Sequence, residues 1–237
     1  MIDILAFGAH PDDVELGCAG TLAKAIKNGK KVGIIDLTQG ELGTRGSKEI
    51  RAMETQKASD ILGVLFRENV GFRDGFFVND EAHQIEIIKR IRKYQPKIVL
   101  ANAISDRHID HAKGSKLVSD ACFLAGLTKI ETSFEGKLQQ AFRPQVVYHY
   151  IQWESLQPDF VVNISDTIQQ KIGAVMAYQS QFYDEKSTEP VTPIATKNFI
   201  DSIEYRAKDL GRLIGVDYAE GFTIERFVAV ENITDLI

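Results

Sequence analysis

Two short stretches of the sequence combine histidines with aspartates. They are AFGAHPDDVELG (6–17) and SDRHIDH (105–111). Together they contain three of the five histidines of the chain, namely His10, His108 and His111. Imidazole and carboxylate ligands suit Zn²⁺ best, and Fe²⁺ or another first-row divalent ion is an alternative. If the fold brings the two stretches together, they predict a divalent metal site.

A catalytic zinc site usually has three protein ligands and one open position. His10 and Asp13 from the first stretch and His111 from the second would supply such a set. Asp12 then lies beside the metal, where its carboxylate can act as a general base toward water. Because metal storage needs no base, this pattern favours a hydrolase over a metal-binding protein without catalysis.

His108 is a candidate acid in the same pocket. It precedes His111 by three residues and can serve as a general acid or as a hydrogen-bond donor to an oxyanion. Asp110 is predicted to hold the His108 imidazole in one tautomer, as a carboxylate orients a histidine base. Each stretch alone has a structural interpretation, as a helix start with favourable acids or as ordinary loop histidines. Their occurrence after two neighbouring strands favours the chemical interpretation.

The elements that must position these residues alternate along the chain. Four apolar runs, each followed by a loop and an amphipathic stretch, are Ile2–Gly8, Lys31–Leu37, Val64–Val70 and Lys97–Ala101. This alternation predicts an α/β fold, with an open, mostly parallel sheet and helices on both faces. With the common strand order 3-2-1-4-5, strands one and four are neighbours. Both stretches then lie at the carboxyl ends of strands, where such sheets bind ligands.

The pattern changes after about residue 130. The predicted elements there are strands at 146–151 and 160–164, helices at 167–180 and 197–213, and an apolar segment at 221–230. No linker is evident, so residues 1–237 are predicted to form a single domain with a C-terminal elaboration. Residues 183–196, with two prolines and three threonines, are predicted to form a mobile flap.

Composition disfavours several classes of function. The net charge of −5 argues against a nucleic-acid partner, which needs clustered Lys and Arg. No stretch approaches the roughly 20 apolar residues that span a bilayer, and the N-terminus does not resemble a secretion signal. Cys18 and Cys122 make no disulfide framework. We therefore expect a cytoplasmic protein with no membrane partner.

The first turn differs from that of a dinucleotide-binding fold. The fingerprint Gly-x-Gly-x-x-Gly lets a pyrophosphate approach the helix N-terminus. Here Gly8 is followed by a histidine and two aspartates before Gly17, and carboxylates would repel phosphate. A nucleotide-binding oxidoreductase or sensor is therefore disfavoured.

The motifs resemble those of the LmbE-like (PIG-L-type) zinc-dependent N-acetylglucosaminyl deacetylases. The matching segments are AHPDDVELG (9–17), TQGELGTRGSKEIRAMET (38–55), HIDH (108–111) and GVDYAEGF (215–222). The resemblance implies a Rossmann-like fold and hydrolysis of an N-acetyl group. By position, the metal ligands are His10, Asp13 and His111, and the general base is Asp12. The acid is His108, and Asp110 is its supporting carboxylate.

Substrate contacts also follow from the resemblance. Arg51 corresponds to a substrate-contacting arginine of the family, whereas by itself it would be interpreted as a partner of Glu54 or Asp60. Asp74 is a candidate from its position rather than from the resemblance. It follows the third predicted strand and is either a turn former before Gly75 or a contact to a sugar hydroxyl.

One position departs from the family pattern. Some relatives place a tyrosine before the last helix, for the oxyanion, where this chain has Phe199. Tyr183 and Tyr218 are candidate replacements.

Within the family, the chain length and the segments DYAEGF and DRHIDH are similar to the bacillithiol-biosynthesis deacetylases. Those enzymes remove the acetyl group from N-acetylglucosamine joined to malate. The two carboxylates of malate would pair with Arg51, Arg45 and Arg107. The resemblance also implies a homo-oligomer, a trimer or hexamer. The alternative substrates are N-acetylglucosamine, chitooligosaccharides or the amide of a thiol conjugate.

Overall fold

The computed structural model describes residues 1–236 and has a mixed α/β architecture around a seven-stranded sheet. The strands in this part of the chain are β1 (Ile2–Gly8), β2 (Val32–Thr38), β3 (Phe66–Phe72), β4 (Pro96–Ala101), β5 (Ser133–Phe134), β6 (Lys137–Leu138), β7 (Val146–Tyr150), β8 (Phe160–Asn163) and β9 (Ala219–Ile224). The α-helices are α1 (Asp13–Lys27), α2 (Lys48–Leu62), α3 (Glu81–Tyr94), α4 (Ile109–Ala125), α5 (Ile168–Met176) and α6 (Lys197–Leu213). Ile233–Asp235 form a short 3-10 helix.

The strand order of the large sheet is β3-β2-β1-β4-β7-β9-β8. β1 pairs in parallel with β2 and β4, and β4 pairs in parallel with β7. β9 is antiparallel to both of its neighbours, β7 and β8. The predicted α/β fold and the predicted neighbourhood of strands one and four are confirmed. The loops that follow β1 and β4 therefore leave the same edge of the sheet side by side.

Side chains of the central strands alternate between two apolar cores. In β1, Leu5 and Phe7 belong to the core under α3 and α4, while Ile4 and Ala6 belong to the core under α1 and α5. This alternation follows from the two-residue period of a strand. A strand that is buried on both faces must be apolar at nearly every position, which is the pattern of the sequence.

The helices begin at residues that satisfy free backbone N–H groups. The side chains of Ser47, Asp80 and Thr196 each accept a hydrogen bond from the backbone three residues later, at the starts of α2, α3 and α6. α2 ends at Gly63, whose φ of 75° suits glycine. None of the helices in the described part of the chain has both the length and the apolar character of a membrane span.

Several element ends differ from the sequence prediction. β3 begins at Phe66 rather than at residue 64, because Gly63 ends α2 with a left-handed turn and two residues connect the elements. α5 ends at Met176 rather than at residue 180, and a series of turns follows Met176. β9 covers the start of the last apolar segment only, and the chain is exposed beyond it, with Phe227 93% exposed.

The sequence prediction missed the hairpin of β5 and β6. Glu135 and Gly136 connect the two strands, with φ values of 49° and 75°. Two consecutive residues with positive φ are the requirement of a tight two-residue hairpin turn. The strands have two residues each, too few for a recognisable alternation of apolar and polar residues.

Candidate active site

A cavity of about 510 Å³ opens at the carboxyl ends of β1 and β4. Three imidazole rings line it. The ring centroids of His10 and His108 are 4.6 Å apart, those of His108 and His111 are 5.1 Å apart, and those of His10 and His111 are 5.6 Å apart. The predicted convergence of the two histidine-containing stretches is confirmed.

His10 is buried among carboxylates. Its Nε2 lies 3.1 Å from Asp74 Oδ1 and 3.5 Å from Asp110 Oδ2, and its Nδ1 lies 3.5 Å from Asp13 Oδ2. Burial opposes a charge on the ring, but the hydrogen bonds of these carboxylates outweigh it and raise the pKa of His10 well above its usual value. The surroundings of this ring therefore favour a cation.

His111 has the same kind of surroundings. Its Nδ1 lies 2.5 Å from Asp106 Oδ2, and its Nε2 lies 3.0 Å from Asp13 Oδ1. Burial lowers the pKa of His111, but Asp13 and Asp106 outweigh burial and raise it to about 9. Metal-binding histidines commonly donate their second ring N–H to a carboxylate, which fixes the ring orientation. Asp106 and Asp74 are placed to accept such hydrogen bonds from His111 and His10.

Asp13 lies between these two rings, and two carboxamides hold it. Asn102 donates to Oδ2 at 3.0 Å and Gln152 donates to Oδ1 at 3.0 Å. Burial opposes ionisation, yet His111 and His10 keep the pKa of Asp13 well below its usual value. Neither carboxamide was among the residues predicted from the sequence. Asn102 had a detectable signal, a polar side chain directly after β4, whereas Gln152 follows a strand of the C-terminal half that no motif marks.

His108 has a different hydrogen-bond pattern. Its Nδ1 accepts the backbone N–H of Asp110 at 3.3 Å. A neutral imidazole has one donor and one acceptor nitrogen, so the proton of His108 is on Nε2. Burial, followed by the charges of His10 and His111, lowers the pKa of His108 and favours this neutral form. His108 Nε2 is therefore a donor rather than a lone pair for a metal.

The carboxylate of Asp110 points away from His108, contrary to the predicted role. It accepts the backbone N–H of Gly75 at 2.7 Å and the ammonium of Lys113 at 2.7 Å, and it faces His10. The reason is helix geometry: His108 caps α4 with its ring over the backbone N–H of Asp110, so the Asp110 side chain projects toward the loop after β3. The backbone N–H of Asp110 orients His108, and its carboxylate acts on His10.

Two groups of donor atoms in the described chain, each within 4.8 Å, are compact enough to hold a metal ion. They are His10, His108 and His111, and His10, Asp74 and Asp110. The hydrogen bonds disfavour each of these groups as a set of metal ligands. In the first group His108 Nε2 carries a proton, and in the second Asp74 accepts a hydrogen bond from His10 Nε2. His10 Nδ1 and His111 Nε2 both face Asp13, and a metal ion bound there would replace the protons on these two nitrogens. The predicted ligand set of His10, Asp13 and His111 is not one of the two groups, and it stays a prediction.

Asp12 has the backbone conformation of a constrained residue. Its φ is 114°, in the left-handed region, and its side chain is buried and lines the cavity. Burial raises the pKa of Asp12 to about 7, against the opposing charge of Arg51. Strained backbone is often found at functional sites. A carboxylate that titrates near neutrality is suited to accept and return a proton.

Two of the predicted substrate arginines line the cavity without an acidic partner. Arg51 is buried and donates to Gln181 Oε1, while its Nε has no hydrogen-bond partner in the described chain. The guanidinium of Arg107 lies over the ring of Trp153, 4.7 Å from its centroid. Both groups are therefore available to an anionic ligand.

Arg45 and Asp74, also predicted to contact substrate, have protein partners in the structure. Arg45 Nε donates to Ser180 O at 2.9 Å and Arg45 Nη2 donates to Ser187 Oγ at 2.8 Å, which joins the glycine-rich loop to residues 183–196. Asp74 Oδ1 bonds to His10, and Oδ2 accepts the N–H of Leu42 at 3.0 Å. Asp74 thus orients His10 in this structure.

The C-terminal half supplies a wall of the cavity that the sequence analysis did not assign. Phe199 stacks on Trp153, with ring centroids 5.4 Å apart, and Arg206 of the same helix also lines the cavity. The two tyrosines considered as replacements for Phe199 are outside the described lining of this cavity. Tyr218 donates instead to Glu204 at 2.9 Å. The helical pattern of α6 was visible in the sequence, but its position over the site was not.

Comparisons with known proteins agree with this architecture. Residues 5–122 match the family model PIG-L, described as GlcNAc-PI de-N-acetylase. The diacetylchitobiose deacetylase of Thermococcus kodakarensis is 30% identical over 192 residues, which cover 77% of this chain and 71% of that protein.

Two solved structures are similar over nearly the whole chain. A conserved protein from Thermus thermophilus is 37% identical with a TM-score of 0.86, covering 98% of each chain. The N,N'-diacetylchitobiose deacetylase of Pyrococcus horikoshii is 25% identical with a TM-score of 0.80, covering 99% of this chain and 88% of that one. The similarity therefore extends beyond the N-terminal part that the family model matches.

Proposed function

Because the chain belongs to the PIG-L family of GlcNAc-PI de-N-acetylases, we propose that it is a zinc-dependent N-deacetylase of an N-acetylglucosaminyl conjugate with an anionic aglycone. The conjugate that we propose is N-acetylglucosaminyl L-malate, a substrate of bacillithiol biosynthesis. The observation that carries the substrate proposal is the group of guanidinium side chains without acidic partners that lines the cavity.

The donor atoms at the base of the cavity fit a catalytic zinc ion. His10 Nδ1, Asp13 and His111 Nε2 would provide three ligands, the usual number in zinc enzymes, and carboxylates accept from the second nitrogen of both rings. The same ligand types accept Fe²⁺ as an alternative. A bound divalent ion would polarise the acetyl carbonyl and make water nucleophilic near neutral pH.

Two residues of the chain manage the protons of the reaction. Asp12 takes a proton from water as the water oxygen adds to the acetyl carbon, and gives it to the nitrogen as the C–N bond breaks. The raised pKa of this buried carboxyl suits both steps. His108 Nε2 donates a hydrogen bond to the oxyanion of the tetrahedral intermediate. The products are acetate and the free amino sugar.

Charge around the cavity supports an anionic aglycone. Arg51, Arg107 and Arg206 line it, and within the described residues none of their three guanidinium groups forms an ion pair with a carboxylate. A buried guanidinium without a partner is costly, and a substrate carboxylate would satisfy it with charge-assisted hydrogen bonds. Malate has two carboxylates, whereas a chitooligosaccharide has none.

A second candidate substrate is diacetylchitobiose. Two similar proteins are named as deacetylases of that disaccharide. The stacked rings of Trp153 and Phe199 offer an apolar surface against which the face of a second sugar could pack. This candidate leaves the arginines unpaired, so we place it second.

The test is amine release from purified protein with N-acetylglucosaminyl malate, diacetylchitobiose and N-acetylglucosamine. Each reaction is run as purified, after treatment with a chelator and after return of Zn²⁺ or Fe²⁺. We expect release from the malate conjugate that stops with chelation and recovers with metal. A higher kcat/KM for diacetylchitobiose would reject the anionic aglycone, and chelator-resistant release would reject the metal.

A further inference from the structure

The motif GVDYAEGF contains a buried acid that the reaction does not use. Glu220, on β9, is 3% exposed, and its carboxylate forms an ion pair with Lys171 of α5 at 2.6 Å. Both side chains line the far side of the cavity. They lie outside the region that the family model matches, residues 5–122.

The two side chains of this ion pair form hydrogen bonds with backbone groups of α1. In a continuous helix the N–H of Gly20 would donate to the carbonyl of Leu16, four residues earlier. In this structure Gly20 N–H donates to Glu220 Oε1 at 3.0 Å, and the carbonyl of Leu16 accepts from Lys171 at 2.8 Å. The interruption coincides with Cys18, whose φ of −145° is not helical.

The two halves of α1 are therefore capped by opposite charges. Glu220 also accepts the backbone N–H and the hydroxyl of Thr21, at 2.7 and 2.6 Å, so its carboxylate caps the N-terminus of the second half. Lys171 donates to the carbonyl of Leu16, near the end of the first half, where a cation is favourable. Each charge lies at the helix end that attracts it.

The first half of α1 is the helical turn that begins at the site residues Asp12 and Asp13. The carbonyl of Asp12 accepts the N–H of Leu16 at 2.9 Å, and the carbonyl of Leu16 is the one that Lys171 holds. Asp12 and Asp13 thus connect to the ion pair through one turn of backbone. The non-helical Cys18 separates this turn from the rest of α1, so the ion pair supports its position in addition to the bonds that Asn102 and Gln152 make to Asp13.

We propose that Lys171 and Glu220 are positioning residues that hold the break in α1 and thereby set the place of Asp12 and Asp13 over the strand end. Neither side chain needs to contact substrate for this role. The inference rests on the metal site of the proposed function for its effect on metal binding. Its effect on the backbone of residues 12–17 is independent of metal and substrate.

The experiment compares two variants with the unchanged protein. The double variant Lys171→Met/Glu220→Gln removes both charges together, so that neither is left buried and unpaired. The control is Arg92→Met, which removes a buried guanidinium that donates to the carbonyls of Ala125 and Leu127 near the end of α4. That end is remote from the cavity, because α4 starts at the site and is 17 residues long. The control therefore tests for general loss of stability.

Three quantities are measured on each folded protein: the Zn²⁺ dissociation constant by competition with a chromophoric chelator, the kinetic constants, and amide hydrogen exchange of peptides covering residues 9–22. For the double variant we expect zinc binding weaker by about tenfold or more, a similar loss in kcat with KM changed less than about twofold, and faster exchange in residues 12–17. Arg92→Met should leave all three unchanged. If the double variant is not recovered folded, Glu220→Asp, too short to bridge Lys171 and both N–H groups, is measured in its place.

Unchanged exchange and zinc affinity in the folded charge-free variant would overturn the inference, as would an equal change in Arg92→Met. If the unchanged protein binds no zinc, the proposed function fails, and the exchange of residues 12–17 still decides whether the ion pair positions this turn.

Discussion

The N-terminal and C-terminal halves of the molecule contribute to the cavity in different ways. The segments after β1 and β4 bring the three histidines together with Asp12, Asp13, Asp106 and Asp110, all within residues 10–13 and 106–111. The C-terminal half brings single residues from separate elements: Gln152 after β7, Lys171 on α5, Arg206 on α6 and Glu220 on β9. In the N-terminal half the candidate catalytic residues are clustered in sequence motifs. In the C-terminal half the cavity residues come singly from separate elements.

This difference assigns different tasks to the two halves. The motif residues include the candidate metal ligands and the residues that handle protons, so their loss should affect the chemical step. The dispersed residues hold the motif residues in place or contact the aglycone, so their loss should affect metal affinity, substrate affinity or stability. Variants in the two halves can therefore be compared by which constant changes.

The largest effect is expected at Asp12. Asp12→Asn keeps the shape of the side chain, and asparagine tolerates the positive φ of this position better than other residues. Without a group that accepts a proton, kcat should fall by about 10²–10⁴ while zinc remains bound. The measurement is steady-state kinetics with metal analysis of the same sample.

Asp120→Asn is the matched control for Asp12→Asn. Asp120 lies on the outer part of α4 and bonds to Lys116 and Asn79. This control should retain the activity of the unchanged protein. Full activity of Asp12→Asn would remove Asp12 from the mechanism and with it the division of tasks between the two halves.

The success of the sequence analysis follows the same division. The α/β fold and the adjacency of β1 and β4 were predictable, because hydrophobic alternation and strand–helix order are local and the rules of parallel sheets connect them. The closeness of His10 and His111 followed from that adjacency. The direction of the Asp110 carboxylate was not predictable, since it depends on the ring of His108 that caps α4.

The C-terminal contributions were beyond the reach of the sequence for a related reason. Gln152, Arg206 and Glu220 are ordinary residue types in ordinary elements. The pairing of β7 with β4 brings Gln152 to the cavity, and the pairing of β9 with β7 and the packing of α6 on β9 bring Glu220 and Arg206. The segment GVDYAEGF was recognisable as a motif, but the function of Glu220 became visible only with the backbone of α1.

The second largest effect is expected at Gln152, in the dispersed half. Gln152→Leu removes the N–H that holds Asp13 Oδ1 while keeping the approximate volume of the side chain. Loss of a hydrogen bond to a metal ligand typically costs about 10–100-fold in metal affinity or activity. Chelator competition should show weaker zinc binding, and excess zinc should restore most of the activity.

Gln139→Leu serves as the control for Gln152→Leu, because Gln139 bonds to the carbonyl of Lys89, away from the cavity. Zinc affinity of Gln152→Leu equal to that of this control would show that Asp13 needs no support from the C-terminal half.

A smaller effect is expected at Arg206 and should depend on the substrate. A hydrogen bond to a charged group contributes about 1.5–3 kcal/mol, and 1.4 kcal/mol corresponds to a factor of ten. Arg206→Gln should therefore raise KM for N-acetylglucosaminyl malate by about tenfold and leave the kinetics of neutral N-acetylglucosamine unchanged. Arg212→Gln, on the exposed face of the same helix, is the control. An equal loss with both substrates would argue that Arg206 supports the structure and does not contact the aglycone.

The smallest effect is expected at Phe199, whose ring stacks on Trp153 and on Phe182. Each aromatic pair contributes about 0.5–1.5 kcal/mol beyond burial, so Phe199→Leu should lower the free energy of unfolding by about 1–3 kcal/mol. The loosened wall should raise KM a few-fold with either substrate, while kcat and zinc affinity stay unchanged, because the ring of Phe199 packs on Trp153 and Phe182, which have no assigned role in proton transfer or metal binding. Chemical denaturation and kinetics check both values, with the exposed Phe227→Leu as control. A large loss in kcat would place Phe199 in the chemical step and contradict the assignment of the C-terminal half to support and recognition.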